Sequence, residues 1–349
     1  MSTHTPMSLQ ITGWGAVSPA GWSARALADA VASGEPLPTA TERRAEGAPE
    51  RTFRKVPTMP AVPDWMKQPR LRRTTAAARH AVHAAVEALG PANLELIRAG
   101  RFRVGTVFCT MSGCVQFSRR FYAEVLTNPL LASPILFPET VYNAPASHIS
   151  SLMGSPEMNY TLVGDSAQFV CGMDLAAQWL EDGLVNACLV VAAEELDWIS
   201  DEALLLFDAQ GIATEGAAAI LIEAASSAEA KGVELRAITE AHTYGHAVSR
   251  AQAAERVRDD LLRHSAPETV LCDGTNHGAT ADRLESALWQ NWTGPRCRVR
   301  PVLGEGFAIT SGWQTVLACE QLQRGLAKRA LISAVGLTQQ AVGAVLEMR

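Results

Sequence analysis

Short, almost unbroken apolar runs recur along this chain with helix-length segments between them, and that alternation constrains the fold more than any other feature. Residues 104–109, 160–163, 188–192 and 217–222 have the length and composition of buried strands, and residues 169–180 those of a buried helix. A second set follows, with strands expected over 234–238, 269–272, 329–333 and 342–347 and helices over 251–263, 281–289 and 312–324. Strands that are apolar throughout, rather than at alternate positions, need cover on both faces, which parallel sheets with crossover helices supply. The chain is therefore expected to be α/β, in two similar halves, 1–225 and 226–349, with the join near residues 224–233.

The opening agrees with this pattern. Residues 9–21 read as a strand closed by glycines and a proline, and 24–32 have helical composition. Residues 35–70 are rich in Pro, Glu and Arg with little periodicity and read as a surface excursion. Residues 73–89 are alanine-rich and helical.

Composition excludes several functions. The 349 residues are 48% hydrophobic, enough for one large core or two fused ones. A formal net charge of −6 disfavours nucleic acid or an anionic membrane as partner. Arg70, Arg72 and Arg73 form a short basic run, read either as a solvated loop or as a meeting point for an acidic carrier protein. The seven cysteines include no CxxC pair and mostly sit in apolar stretches, so zinc and disulfides are not expected. His242 and His246 flank Tyr244 and Gly245 with no third ligand in step, so neither a metal nor a cofactor is expected. Residues 1–10 lack a basic segment followed by an apolar run, and no stretch of about 18 apolar residues occurs, which implies a cytoplasmic protein.

Five segments carry a resemblance. Residues 11–21, 133–143, 146–154, 190–196 and 215–223 are similar to successive stretches of the β-ketoacyl synthase family, whose members share the thiolase fold. The resemblance implies a five-layer α-β-α-β-α arrangement with, here, a shortened second half. Counting back from Asp182 and Gly183, the family's nucleophilic cysteine falls on Ser166, within Gly164, Asp165 and Ser166. Asp273 to Thr275 lies where the family has His-Gly-Thr, and Arg300 to Glu305 where it has Lys-Ser-x-x-Gly-His. The family's glycine-rich C-terminal turn corresponds to Gly336, Leu337, Thr338 and Gln339. Two glycines and an aromatic gate are lost there, which implies a stiffer loop.

These exchanges bear directly on chemistry. Condensation needs a thiolate to carry the acyl group and two neutral imidazoles to stabilise an enolate oxygen. A helix dipole contributes roughly 0.3–2 kcal/mol, enough to help a thiol ionise but far too little for a serine hydroxyl. Carboxylates at 273 and 305 would repel an enolate and offer it no hydrogen bond. Gly164 to Gln168 also lacks the final glycine of a nucleophile elbow. Autonomous condensation is therefore not expected, and whether the chain is an enzyme at all stays open.

Family members without the nucleophile serve as chain-length factors paired with an active ketosynthase, although the aromatic polyketide examples usually carry Gln where this chain has Ser166. By that resemblance the partner is an active ketosynthase, or a second copy of the chain, together with an acyl carrier protein. The setting would be type II polyketide, aryl-polyene or fatty-acid-like biosynthesis. Residues 160–163 would form the interface strand, and Ser112, Val115, Phe117, Phe121 and Leu337 would lie near the acyl tunnel; plain core packing is the other reading of the aromatics. The rival is a serine-dependent acyltransferase or starter-unit selector, and a third possibility is a scaffolding paralogue. For the enzyme reading, His277 is the candidate base for Ser166, if it is not a surface or structural imidazole. Cys171, five positions after Ser166, reads as core.

Overall fold

The computed structural model describes residues 8–44, 46, 49–225, 232–275 and 283–349. The first half runs β1 (Leu9–Val17), α1 (Ala24–Ser33), β2 (Ala40–Arg43), β3 (Glu50–Arg54), α2 (Ala76–Arg98), β4 (Val104–Thr110), α3 (Val115–Thr127), α4 (Ala144–Met153) and β5 (Asn159–Val163). It continues through α5 (Gln168–Glu181), β6 (Ala187–Glu194), α6 (Trp198–Leu205), β7 (Ala213–Thr214) and β8 (Gly216–Ala224). The second holds β9 (Val233–Ile238), β10 (His242–Thr243), α7 (Ala247–Leu262), β11 (Thr269–Asp273), α8 (Arg283–Leu288), β12 (Arg296–Arg298), α9 (Arg300–Leu303), α10 (Ala308–Gln323), β13 (Arg329–Val335) and β14 (Gln340–Met348).

The halves repeat one topology. Across the first, the order is β5-β4-β6-β8-β1; across the second, it is β12-β11-β13-β14-β9. Numbered within each half, both orders read third, second, fourth, fifth, first. In both, the first three strands are mutually parallel and the last two pair antiparallel. Leu9 to Ile11 of β1 pair antiparallel with Val233 to Leu235 of β9 and join the two sheets edge to edge.

Burial shows the layering. One apolar cluster draws on α5, α10 and inward residues of both sheets, such as Val190, Ile220, Val270 and Ile332. A second lies between α2, α4 and the opposite face of the first sheet, and a third between α7 and the opposite face of the second. The result is the expected α-β-α-β-α stack. Its central helical layer is the driest part: 13 of the 16 residues of α10 are buried. Gly312 explains how that layer closes, since a Cβ there would lie 2.7 Å from the Ala218 Cβ and 3.1 Å from the Phe169 ring. Trp313 is fully buried one residue on, and its indole N–H donates to the carbonyls of Val17 and Ala217 at 3.2 and 3.0 Å.

Two elements differ from the sequence reading for identifiable reasons. The segment 35–70 carries a β2–β3 hairpin that pairs in parallel with β7, buries Phe53, and holds Arg54 by a 2.9 Å bond to the Leu37 carbonyl. Its strands are largely exposed and so leave no alternating apolar signature. Helix α2 runs past residue 89 because Gly90 adopts φ 67° before Pro91, so a kink joins two helical stretches where a stop was expected. The expected helix at 281–289 begins outside the described residues, and its described part is α8. Strand β5 sits at the outer edge of the first sheet, with Tyr160 and Val163 about half exposed.

The Gly312→Val substitution is expected to lower stability by about 1–3 kcal/mol through overpacking, read as a lower urea midpoint with an unchanged slope.

Candidate functional site

Ser166 lies just before α5 and is buried at 2% exposure. Its hydroxyl donates to the main-chain carbonyl of Val335, at the end of β13, at 3.5 Å. The residue before it has more partners. Asp165 is 1% exposed, and its Oδ2 accepts from the Thr338 N–H at 2.7 Å, the Thr338 hydroxyl at 3.1 Å and the Gln339 N–H at 3.3 Å.

Asp165 thus clamps the turn that follows β13. A Cβ on Gly336 would fall 2.1 Å from the Asp165 Oδ1, so only glycine fits above the carboxylate. From the other side, Arg250 Nε donates to the Gly336 carbonyl at 2.8 Å, and the Tyr244 hydroxyl donates to it and, at 3.2 Å, to the Gln340 carbonyl. Leu337, between these anchors, is buried in a small cluster with Phe53, Leu204, Ala213 and Phe307. The loop is fixed by charge and hydrogen bonds on both sides.

Asp273 ends β11 and is fully buried. Its Oδ1 accepts from the Thr275 N–H at 2.9 Å and the Thr275 hydroxyl at 2.6 Å, and its Oδ2 forms an ion pair with Arg296 on the adjacent β12. Glu305 lies before α10 at 5% exposure. Its Oε1 accepts from the Phe307 N–H at 2.7 Å and the Thr310 hydroxyl at 2.9 Å, and its Oε2 pairs with Arg300 at 2.5 Å. Phe307 has φ 51°, an uncommon backbone conformation for a residue with a side chain, and the Glu305 carboxylate is what holds its N–H. The two pairs are neighbours: a Cβ on Gly274, next to Asp273, would lie 3.5 Å from the Thr310 Cγ2 and 3.7 Å from the Arg300 Cζ.

Each carboxylate that stands at an expected histidine position is therefore matched to a guanidinium, buried at Arg300 and partly exposed at Arg296. Arg296 escaped the sequence reading, and Arg300 entered it only as the start of the 300–305 segment, without this role. The available signal was electrostatic: an acid inside an apolar stretch must be neutralised, and the arginines stand within reach in sequence. Asp165 was passed over for the same reason.

A second set of buried acids supports α3. The Glu194 carboxylate accepts from the main-chain N–H of Met111 and of Ser112, the latter at 3.1 Å. Burial pushes its pKa up to about 8 even though those hydrogen bonds oppose the shift. Glu195 accepts from the N–H of Gln116 at 2.9 Å and of Ala77 at 3.4 Å, and burial pushes it up to about 7. Helix α3 itself buries no residue. Phe117 faces two clefts of about 690 and 610 Å³, Val115 and Phe121 face a third of about 380 Å³, and the Phe121 ring packs 5.6 Å from that of Phe137. Ser112 lies in the turn before α3, next to Met111, which packs against the Leu337 cluster.

The remaining candidates take structural places. His246 caps α7 with Ser249, and His242 lies in β10 opposite Ala341. Arg70 donates to His148 Nδ1 at 3.1 Å and to the Ser151 hydroxyl at 2.8 Å, while Arg72 bonds the Lys67 carbonyl. Cys171 is mostly buried, its thiol pushed up to about 12 by burial. His277 lies outside the described residues. Among the described residues no group of three or more His, Cys, Asp or Glu is placed to hold a metal, and no helix is long and apolar enough to cross a membrane.

The family model described as "Beta-ketoacyl synthase, N-terminal domain" matches residues 8–234, and the chain belongs to that family. Solved structures agree on the fold. The ishigamide ketosynthase/chain length factor is 19% identical over 98% of this chain and 99% of its own, with a TM-score of 0.77. A complex of a type II acyl-carrier protein with its ketosynthase bound to the hexaketide is 18% identical over 98% and 99%, with a TM-score of 0.78. A complex of the ketosynthase ApeO with its chain length factor ApeC, from Xenorhabdus doucetiae, is 13% identical over the full length of both chains, with a TM-score of 0.79. No curated protein matches the sequence.

Glu194 and Glu195 both have folded-state pKa values above the ordinary 4.5, so the folded chain holds their protons more tightly than the unfolded one. Their contribution is full below the unfolded value and is lost as pH rises through about 7 and 8. Unfolding free energy is expected to fall as pH rises from the ordinary carboxylate range through that window, by about 1.4 kcal/mol for each unit by which a carboxyl is raised, with Glu194→Gln removing the larger share of the slope in urea titrations at stepped pH. Separately, Arg296→Met is expected to cost about 3–5 kcal/mol by stranding Asp273, and Asp273→Asn in the same chain to recover much of it, measured by the same titration.

Proposed function

We propose that the chain is a non-condensing subunit of chain-length-factor type, which pairs with an active ketosynthase and forms part of the wall of its acyl tunnel. The observation that carries this reading is the pair of buried carboxylate–arginine contacts, Asp273 with Arg296 and Glu305 with Arg300, at the positions matched to the family's histidines. Both acids have guanidinium counter-charges at 2.5 Å. An anion there destabilises an enolate instead of stabilising it. The Ser166 hydroxyl is turned to a carbonyl oxygen, an acceptor that cannot remove its proton.

The uncovered surface supports a partner. Leu126, Leu130, Leu131, Ile135 and Phe137 are each more than half exposed around α3, and Tyr160 and Val163 are about half exposed on the open edge of β5. Large apolar side chains left exposed in this number are consistent with an interface. In a dimer through β5, α3 would carry Val115, Phe117 and Phe121 toward the partner's acyl chain, with Ser112 at its start and Leu337 in the fixed turn. Acyl carrier protein is the donor in this reading, and type II polyketide, aryl-polyene or fatty-acid-like assembly its setting.

The purified chain alone is expected to make no ketoacyl product from malonyl and acyl thioesters, and to co-purify with a cysteine-bearing ketosynthase when the two are expressed together. Product length in the complex is expected to increase in Phe117→Ala, as a removed ring leaves room for further methylenes, each worth roughly 0.8 kcal/mol of burial. Mass spectrometry after incubation with acyl carrier protein decides against the serine-dependent acyltransferase or starter-unit selector. An acyl adduct that vanishes in Ser166→Ala would establish that rival and overturn the proposal.

A further inference from the structure

Strands β11 and β12 are parallel neighbours, and their register sets Cys272 directly opposite Cys297. Parallel neighbours lie about 4.8 Å apart, within the span of about 4.4–6.8 Å between Cα atoms that a disulfide bridges. Side chains at paired positions point to one face of a sheet. Cys272 belongs to the apolar cluster between the two sheets and Cys297 packs against that same cluster, so both sulfurs face the central helical layer. Leu271, one residue earlier, faces the α7 side, and Arg296, which pairs with it in register, reaches Asp273 there. All seven cysteines are free thiols in this structure.

The two partners differ in ways that assign roles. Cys272 is fully buried, whereas Cys297 is only partly buried, on a three-residue strand at the open edge of the sheet. The Cys272 thiol hydrogen-bonds Cys297 and lowers its pKa, although burial opposes the shift; that same contact and burial hold Cys272 itself well up. Cys297 is thus the thiol that ionises more readily, on the residue of the two that is not fully buried, with a second thiol placed beside it to complete a bond.

We propose that Cys272 and Cys297 are a modification site, a dithiol that a hydroperoxide converts to an intramolecular disulfide tying β12 to β11. The Cys297 thiolate attacks one oxygen of hydrogen peroxide, the O–O bond breaks, and hydroxide leaves with Cys297 as a sulfenic acid. The Cys272 sulfur then attacks the Cys297 sulfur. The S–O bond breaks as the S–S bond forms, and the departing hydroxide takes the Cys272 proton. Two thiols and one peroxide become one disulfide and two waters. The bridge fastens from the inner face the same strand pair that Asp273 and Arg296 fasten from the outer face.

The test uses the full chain, treated with hydrogen peroxide in native buffer, unfolded, alkylated with iodoacetamide and mapped by mass spectrometry. The expected result is one crosslinked peptide containing residues 272 and 297, lighter by two hydrogens, with the other five cysteines alkylated and the link reversed by dithiothreitol. Cys297→Ser should abolish the link and leave Cys272 alkylatable, Cys319→Ser should leave it intact, and the oxidised wild-type chain should unfold at a higher urea midpoint than the reduced chain. Full alkylation of all seven cysteines after peroxide, a Cys297 sulfinic acid without a crosslink, or a bridge from either residue to Cys319 would each overturn the proposal.

Discussion

The central helices α5 and α10 have protein on both sides, and almost every other feature of this chain answers to that constraint. Gly312 against Ala218 and Phe169 sets how closely the layers meet. The helices begin where both sheets end, so their first turns and the loops that feed them are also cut off from water. Any polar group placed there must find its partner within the protein. Ser166, Asp165 and Glu305 occupy such places, and each is hydrogen-bonded or ion-paired to the chain itself.

In the proposed reading, this internal satisfaction sets these groups apart from a reactive site. A catalytic group keeps a lone pair or a proton available for something that arrives. Here Asp273 is divided between Thr275 and Arg296, Glu305 between the start of α10 and Arg300, and Asp165 between three donors of one turn. The geometry holds loops and helix starts in place. What remains open lies elsewhere, along α3 and the edge of β5, where large apolar side chains face outward.

Much of the fold was legible because the buried strands are apolar on both faces, a pattern that survives without knowledge of their neighbours. The register of β6 or β13 could not be read, yet their existence could. The β2–β3 hairpin was not legible because its residues are exposed and its stability comes from pairing with β7, about 160 positions away. Helix α3 is amphipathic, yet it buries no residue in this chain, so its apolar positions have no core neighbours here to account for them. Ser166, Asp273 and Glu305 were singled out by their places in a motif, whereas the contacts of Arg296, Arg300, Tyr244 and Arg250 were not legible, since they arise only when separate strands and helices come together.

The buried ion pairs also bear on ancestry. Under the proposed alignment, an imidazole placed at 273 or 305 alone would cost Arg296 or Arg300 its carboxylate contact, and a thiol placed at 166 would leave Asp165 still gripping the 336–339 turn. Each backward step carries its own stability loss before any benefit can appear, and the positions must change together. In that reading these positions are coupled like a ratchet, and no single small substitution undoes the arrangement.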